Sequence, residues 1–330
     1  MAKALPSTVA MAALFVVANA AALFLAAPAQ AFGYEALPNP EDPLNPVWYV
    51  ALVLVFTAII LVVIKLKREA FLKYVILGSM AITMVYVYSL PLTYLFIGLQ
   101  DPALYDFSTL TAAEVDVLVT LNYLAFGVAL VLAACLTYLL VKRPEWYVVD
   151  AVGVSTAAGV IAIMGISFGI LPAFILLIAL AVYDAWAVYS TKHMIALADA
   201  VTEQRLPVLL VIPKHRGYSF LKQKRLTAQL AAGEEREAMF MGLGDIIIPG
   251  VLAVSAFTFL PFATLAGIPK GLLVAVASLA GALVGYAVLM RYVAKGKPQA
   301  GLPLLNGGAI VGYAVAYLVL FGDASLGLLP

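Results

Sequence analysis

Nine apolar runs, each about the length a helix needs to cross a bilayer, constrain this chain more than any other feature. They lie near residues 7–31, 47–64, 71–98, 115–141, 147–168, 170–190, 239–262, 270–293 and 302–321. Inside hydrocarbon every backbone N–H and C=O must be satisfied within the protein, so runs of this kind become α-helices. The expected fold is therefore an all-α polytopic membrane protein with nine transmembrane helices. Composition agrees: 65% of residues are hydrophobic and only 11% charged, far from the roughly 25% charged of a soluble domain.

Those few charges are ordered. Lys65, Lys67, Arg68 and Lys73 separate the second and third spans, and Lys142 and Arg143 the fourth and fifth. Residues 192–236 carry a larger basic group, and Arg291, Lys295 and Lys297 precede the last span. These are alternate loops, so the positive-inside rule puts them in the cytoplasm, with a cytoplasmic amino terminus and an outside carboxyl terminus. Glu35, Glu41, Asp42, Asp101, Asp106 and Glu114 fall in the opposite set. The first run also resembles a secretory signal, with Lys3 before it and Ala29-Gln30-Ala31 after it. Its apolar length exceeds the 7–15 residues of a signal core, which favours a retained helix.

One polar segment, 191–238, divides the chain into a six-span part, 1–190, and a three-span part, 239–330, within one integral membrane domain. Its start, Lys192 to Asp199, reads as an interfacial helix. Farther on, Pro207 to Pro213 is an apolar, strand-compatible run fenced by prolines. A net charge of +1 gives no basic field for nucleic acid. Cys135 alone, in an apolar run, reads as a buried structural thiol and excludes a disulfide framework.

Against this apolar background two acids stand out. Asp184 lies in the sixth span and Asp245 in the seventh, within Gly242-Leu243-Gly244-Asp245. A carboxylate at bilayer depth costs at least about 2.5–3.5 kcal/mol, so it marks a functional site with a partner to be named. Counting from the ends that flank 191–238, each Asp should sit six or so residues inside its helix, roughly 9 Å deep. Antiparallel neighbours would then bring the two carboxylates to one level, and neither has a Lys or Arg three or four residues away. Gly242 and Gly244 leave room for a backbone or substrate to approach, and Pro249 removes the N–H that the Asp245 carbonyl would receive. Tyr183, turned about 100° from Asp184, is expected to line the site. Two close carboxyl groups share a proton, supplying a general base for water and a general acid for the attacked carbonyl. That chemistry is peptide hydrolysis within the membrane.

At these residues the chain resembles the presenilin and signal peptide peptidase family of intramembrane aspartyl proteases. Tyr183-Asp184 matches the family's Tyr-Asp motif, Gly242-Leu243-Gly244-Asp245 its Gly-x-Gly-Asp motif, and Pro303-Leu304-Leu305 approximates its Pro-Ala-Leu, with Leu304 in place of Ala. The resemblance implies a presenilin-like fold, an Asp184/Asp245 catalytic pair, and a site shaped by Tyr183, Gly242, Leu243, Gly244, Pro303, Leu304 and Leu305. It implies no metal or organic cofactor. The orientation matches presenilins rather than the inverted signal peptide peptidases, implying transmembrane substrates with outside amino termini and a microbial homologue that works without gamma-secretase partners. Oligomeric state, a homo-oligomer included, is left open. A further expectation is that Pro207 to Pro213 offers an edge strand to unwound substrate, against a reading of the run as an interfacial loop.

Other readings compete. Prepilin peptidases share Gly-x-Gly-Asp, but their following lysine and cysteine cluster are missing. Gly165-Ile166-Ser167-Phe168-Gly169 matches a serine-nucleophile pattern, yet both histidines, His193 and His215, belong to the other side of the membrane. These histidines form no zinc motif. Asp116 and Asp150 are expected at solvated span ends, and Asn122 and Asn306 to bond across helices. An ion or small-solute transporter relaying protons through Asp184 and Asp245 is the principal alternative; a structural membrane module is the last.

Overall fold

The computed structural model describes residues 5–66, 69–100, 111–191, 208–215, 217–222, 237–293 and 299–328. Nine α-helices occur among them: α1 Leu5–Ala31, α2 Asn45–Lys65, α3 Glu69–Gln100, α4 Ala112–Lys142, α5 Trp146–Ser167, α6 Ile170–Trp186, α7 Leu243–Phe259, α8 Lys270–Val293 and α9 Leu302–Phe321. Seven are long and apolar enough to cross a membrane, and the apolar helices of α2 and α7 are shorter. A five-residue π turn, Ala187–Thr191, continues α6.

Core and periphery divide sharply. One buried cluster draws on α1, α5, α6, α7, α8 and α9, with Phe15, Ile161, Leu176, Val251, Leu305 and Tyr313 almost wholly enclosed. Of the α5 span 72% is buried, against 22% for α4. The α1 helix packs as a core element against α5 and α7. Because lipid is as apolar as leucine, close packing here rests on small residues that let backbones approach. The α8–α9 seam shows this: a Cβ at Gly281 would strike the Gly308 carbonyl, and one at Gly308 the Gly281 carbonyl. Cys135, expected to be buried, is exposed on α4, because hydropathy alone does not separate lipid-facing from protein-facing positions.

The largest departure from expectation precedes α7. Residues 239–242 are not helical; Ala238–Gly242 forms strand β2, antiparallel to β1, Leu209–Pro213, with Val211 opposite Phe240. The apolar run flanked by prolines is thus a strand, and its partner is the stretch that hydropathy assigns to a helix. Leu243 N–H donates to Val208 O at 3.1 Å and Lys214 N–H to Glu237 O at 2.9 Å. This parity turns Leu209, Val211 and Pro213 of β1, and Ala238, Phe240 and Gly242 of β2, away from the other strand. A second hairpin, β3 Thr264–Leu265 and β4 Ile268–Pro269, links α7 to α8. The interfacial helix expected at 192–199, along with His193, lies outside the described residues.

Candidate active site

With α7 beginning at Leu243, Asp245 lies in its first turn rather than six residues deep. Gly242 is the N-cap, which makes Asp245 the third helical residue, where a side chain can reach back toward the cap and where the helix dipole favours an anion. A Cβ at Gly242 would stand 3.7 Å from Asp245 Oδ2, and the Gly242 amide faces the same carboxylate. The helix runs unbroken through Pro249 to Phe259.

Asp184 approaches from the last turn of α6 and is 6% exposed. A helix carboxyl end disfavours an anion, and the compensating donor comes from α9. Leu302 N–H, at the start of that helix, donates to Asp184 Oδ2 at 3.1 Å, using an amide that has no partner within its own helix. Gly301, the N-cap of α9, touches the other carboxyl group: a Cβ here would lie 3.1 Å from both Asp245 oxygens. The Gly301-Leu302 peptide therefore bonds Asp184 and lies beside Asp245, and the two acids lie within electrostatic reach of each other.

Three further bonds fix the α9 entry against α6. Tyr189, in the π turn, accepts from Ala300 N–H at 3.3 Å and donates to Gln299 Oε1 at 3.0 Å. Asn306 is buried and its Nδ2 donates to Leu177 O at 2.8 Å, two turns below Asp184. π turns are rare and occur frequently at functional sites; this one carries Tyr189.

The other expected site residues divide. Gly244 is exposed with nothing within 4 Å of a Cβ there, so it opens space beside Asp245. Leu243 is buried against Gly153 of α5. Pro303 is the second residue of α9 and Leu305 is fully buried in the core, so this motif sets the helix entry while Gly301 and Leu302 before it lie beside the acids. The Leu304 carbonyl packs on Gly285. Tyr183 points elsewhere: its hydroxyl donates to Thr57 Oγ1 of α2 at 3.4 Å. Sequence reasoning missed Gly301, Leu302 and Tyr189; a glycine just before a Leu-Pro helix start was the available signal.

Competing motifs resolve into structure. Ser167 is fully buried, donates to Ile163 O at 2.6 Å and accepts from Ala36 N–H at 2.7 Å, and among the described residues no base bonds it. Among the described residues no group of three or more His, Cys, Asp or Glu could hold a metal ion. Asp150, expected to be solvated, is buried at 6% exposure and accepts from Val211 N–H at 2.7 Å.

The model of the signal-peptide peptidase and presenilin aspartyl protease family matches residues 12–101 and 103–322. The chain belongs to that family. It is an intramembrane aspartyl protease, and its membrane-embedded substrates follow from that class. Two crystal forms of a presenilin family intramembrane aspartate protease are similar along nearly the whole length. The C222 form is 32% identical with a TM-score of 0.62, covering 94% of this chain and 99% of the other. The P2 form is 32% identical with a TM-score of 0.58, covering 94% and 97%. No curated protein matches the sequence. Nothing in these comparisons supports the transporter alternative.

Proposed function

We propose that Asp184 and Asp245 are the catalytic pair of this presenilin-family protease. The observation that carries this reading is the Gly301-Leu302 peptide, which donates to Asp184 and leaves no more than the space of a missing Cβ beside Asp245. Sharing one proton, the pair holds a carboxylate and a carboxylic acid side by side. The carboxylate takes a proton from water as the oxygen attacks the scissile carbonyl, and the acid gives its proton to the carbonyl oxygen. Collapse of the tetrahedral diol breaks the C–N bond, with a proton delivered to the leaving amine. Half-buried Asp245 and the open space at Gly244 provide the approach.

A transmembrane helix exposes no carbonyl to such a pair, so the substrate has to unwind near the bond that is cut. The outer edge of β2 supports a means of holding it extended. Gly242 on that edge faces Asp245, and among the described residues nothing bonds the outward Phe240 N–H. A strand added to this edge runs directly into the dyad. The outer edge of β1 is unsuited, because Val211 N–H is already given to Asp150 and Pro213 has no N–H. Substrate addition is thus assigned to β2 rather than to the 207–213 run. The alternation of basic loops supports a cytoplasmic amino terminus, hence single-span substrates with outside amino termini.

The test is cleavage of a single-span reporter peptide by the purified protein in detergent, comparing wild type with Asp184→Asn and Asp245→Asn and recording rate against pH. Both variants should fold and lose cleavage, and the wild-type rate should fall on either side of an optimum, as a shared proton requires. Cleavage surviving in either folded variant would end the dyad assignment.

A further inference from the structure

The first strand of the hairpin is held by α5 through features that the hydrolytic chemistry does not use. Asp150 Oδ1 accepts Val211 N–H at 2.7 Å, with both groups buried. One turn along, α5 carries Gly153, where a Cβ would stand 2.9 Å from Leu210 Cδ2, so the strand settles onto a helix face with no side chain in its way. One turn back, Glu145 receives Ser219 Oγ at 2.7 Å and Phe220 N–H at 3.0 Å, fixing the segment that follows β1. On the same outer edge, Ser7 Oγ donates to Pro213 O at 3.3 Å. A buried carboxyl group is an expensive way to satisfy one amide, and Asp150 Oδ2 is buried with no partner among the described residues.

The sheet has two outer edges, and only one leads to Asp245. Val211 is fully buried beneath α5, so without Asp150 its N–H would be an unsatisfied buried donor and β1 would lose the bond that fixes its place on the helix. We propose that Asp150 is a positioning residue for proteolysis: by anchoring β1 to α5 it holds the two-stranded sheet in place and so fixes the register in which substrate meets the dyad. This rests on the reading that substrate adds as a strand to β2. Asp150 touches neither substrate nor the reacting atoms, so its effect should fall on KM and on the bond selected.

The experiment measures KM, kcat and product masses for a synthetic single-span peptide with full-length protein in detergent. Asp150→Leu should raise KM about tenfold or more, the consequence of losing a hydrogen bond to a charged group, with kcat little changed. New products should appear two residues from the main cut, since a slip of two keeps each side chain on its face. Asp150→Asn keeps an acceptor for Val211 N–H and should restore wild-type behaviour. Should Asp150→Leu fail to fold, Val211→Pro removes the same bond from the other partner while leaving the β1–β2 bonds in place, and the same shifts are expected. Wild-type KM and products in the variant lacking the bond, or an Asp150→Asn enzyme as impaired as Asp150→Leu, would overturn the proposal. A fall in kcat with unshifted products would also overturn it, marking the residue as merely structural. Substrates N-methylated at successive residues separate the two layers: strand addition predicts loss of cleavage at alternate positions. No alternation would sink strand addition and this proposal with it; alternation beside a wild-type-like Asp150→Leu would sink the proposal alone.

Discussion

Asp150 and the Asp184–Asp245 pair lie at the same end of one helix bundle, yet their surroundings differ in kind. Asp150 accepts a strand amide with one oxygen, and its other oxygen has no partner among the described residues. Asp184 and Asp245 are brought together by three helix termini: the last turn of α6, the first of α7 and the entry to α9. Burial is common to Asp150 and Asp184 at 6% exposure each, so burial does not distinguish the proposed anchor from the proposed reactive group. What separates them is a second carboxyl group.

The comparison breaks most visibly if either member of the pair is neutralised. Asp184→Asn or Asp245→Asn should reduce the cleavage rate by about 10²–10⁴-fold or more, the usual scale of acid–base catalysis, measured as product formation by folded protein. Gly301→Val comes next, because a side chain would press on both Asp245 oxygens. Misplacing a reacting group by an ångström costs about 10²-fold, so kcat should fall on that order while Asp150-dependent product positions stay fixed. Tyr189→Phe removes the hydroxyl that accepts Ala300 N–H; the α9 entry then loses one of its ties, and a rate loss of about fivefold is expected from a bond worth about 1 kcal/mol. The smallest effect belongs to Ser167→Ala. Cleavage should be unchanged, while thermal unfolding should show a loss of about 1 kcal/mol as Ala36 N–H loses its acceptor. A collapse of activity in that variant would revive a serine mechanism.

Much of this was legible before any coordinates. The nine apolar helices among the described residues followed from hydropathy, a property that sums over each segment and needs no neighbour. Tyr183-Asp184 and Gly242-Leu243-Gly244-Asp245 pointed to two acids at one end of adjoining helices, and that is where they lie. Met239-Phe240-Met241 misled, since a short apolar run suits helix and strand equally; pairing with β1, some thirty residues earlier, decided it. Tyr183, turned about 100° from Asp184 by helix geometry, reaches Thr57 of α2, a partner the sequence does not name.

The sequence by itself determined that this chain lives in a membrane as a helical bundle and that it carries two acids with the motifs of an aspartyl protease. Those properties are local: the cost of an exposed backbone in lipid, the cost of a buried charge, and a few residues in fixed order. Only the tertiary structure decided which groups serve the acids. Gly301 and Leu302 meet Asp245 and Asp184 from more than fifty residues away in the chain, and Val211 meets Asp150 across 61. No local preference encodes such meetings, because they depend on where helix ends and strand edges leave backbone amides to be satisfied.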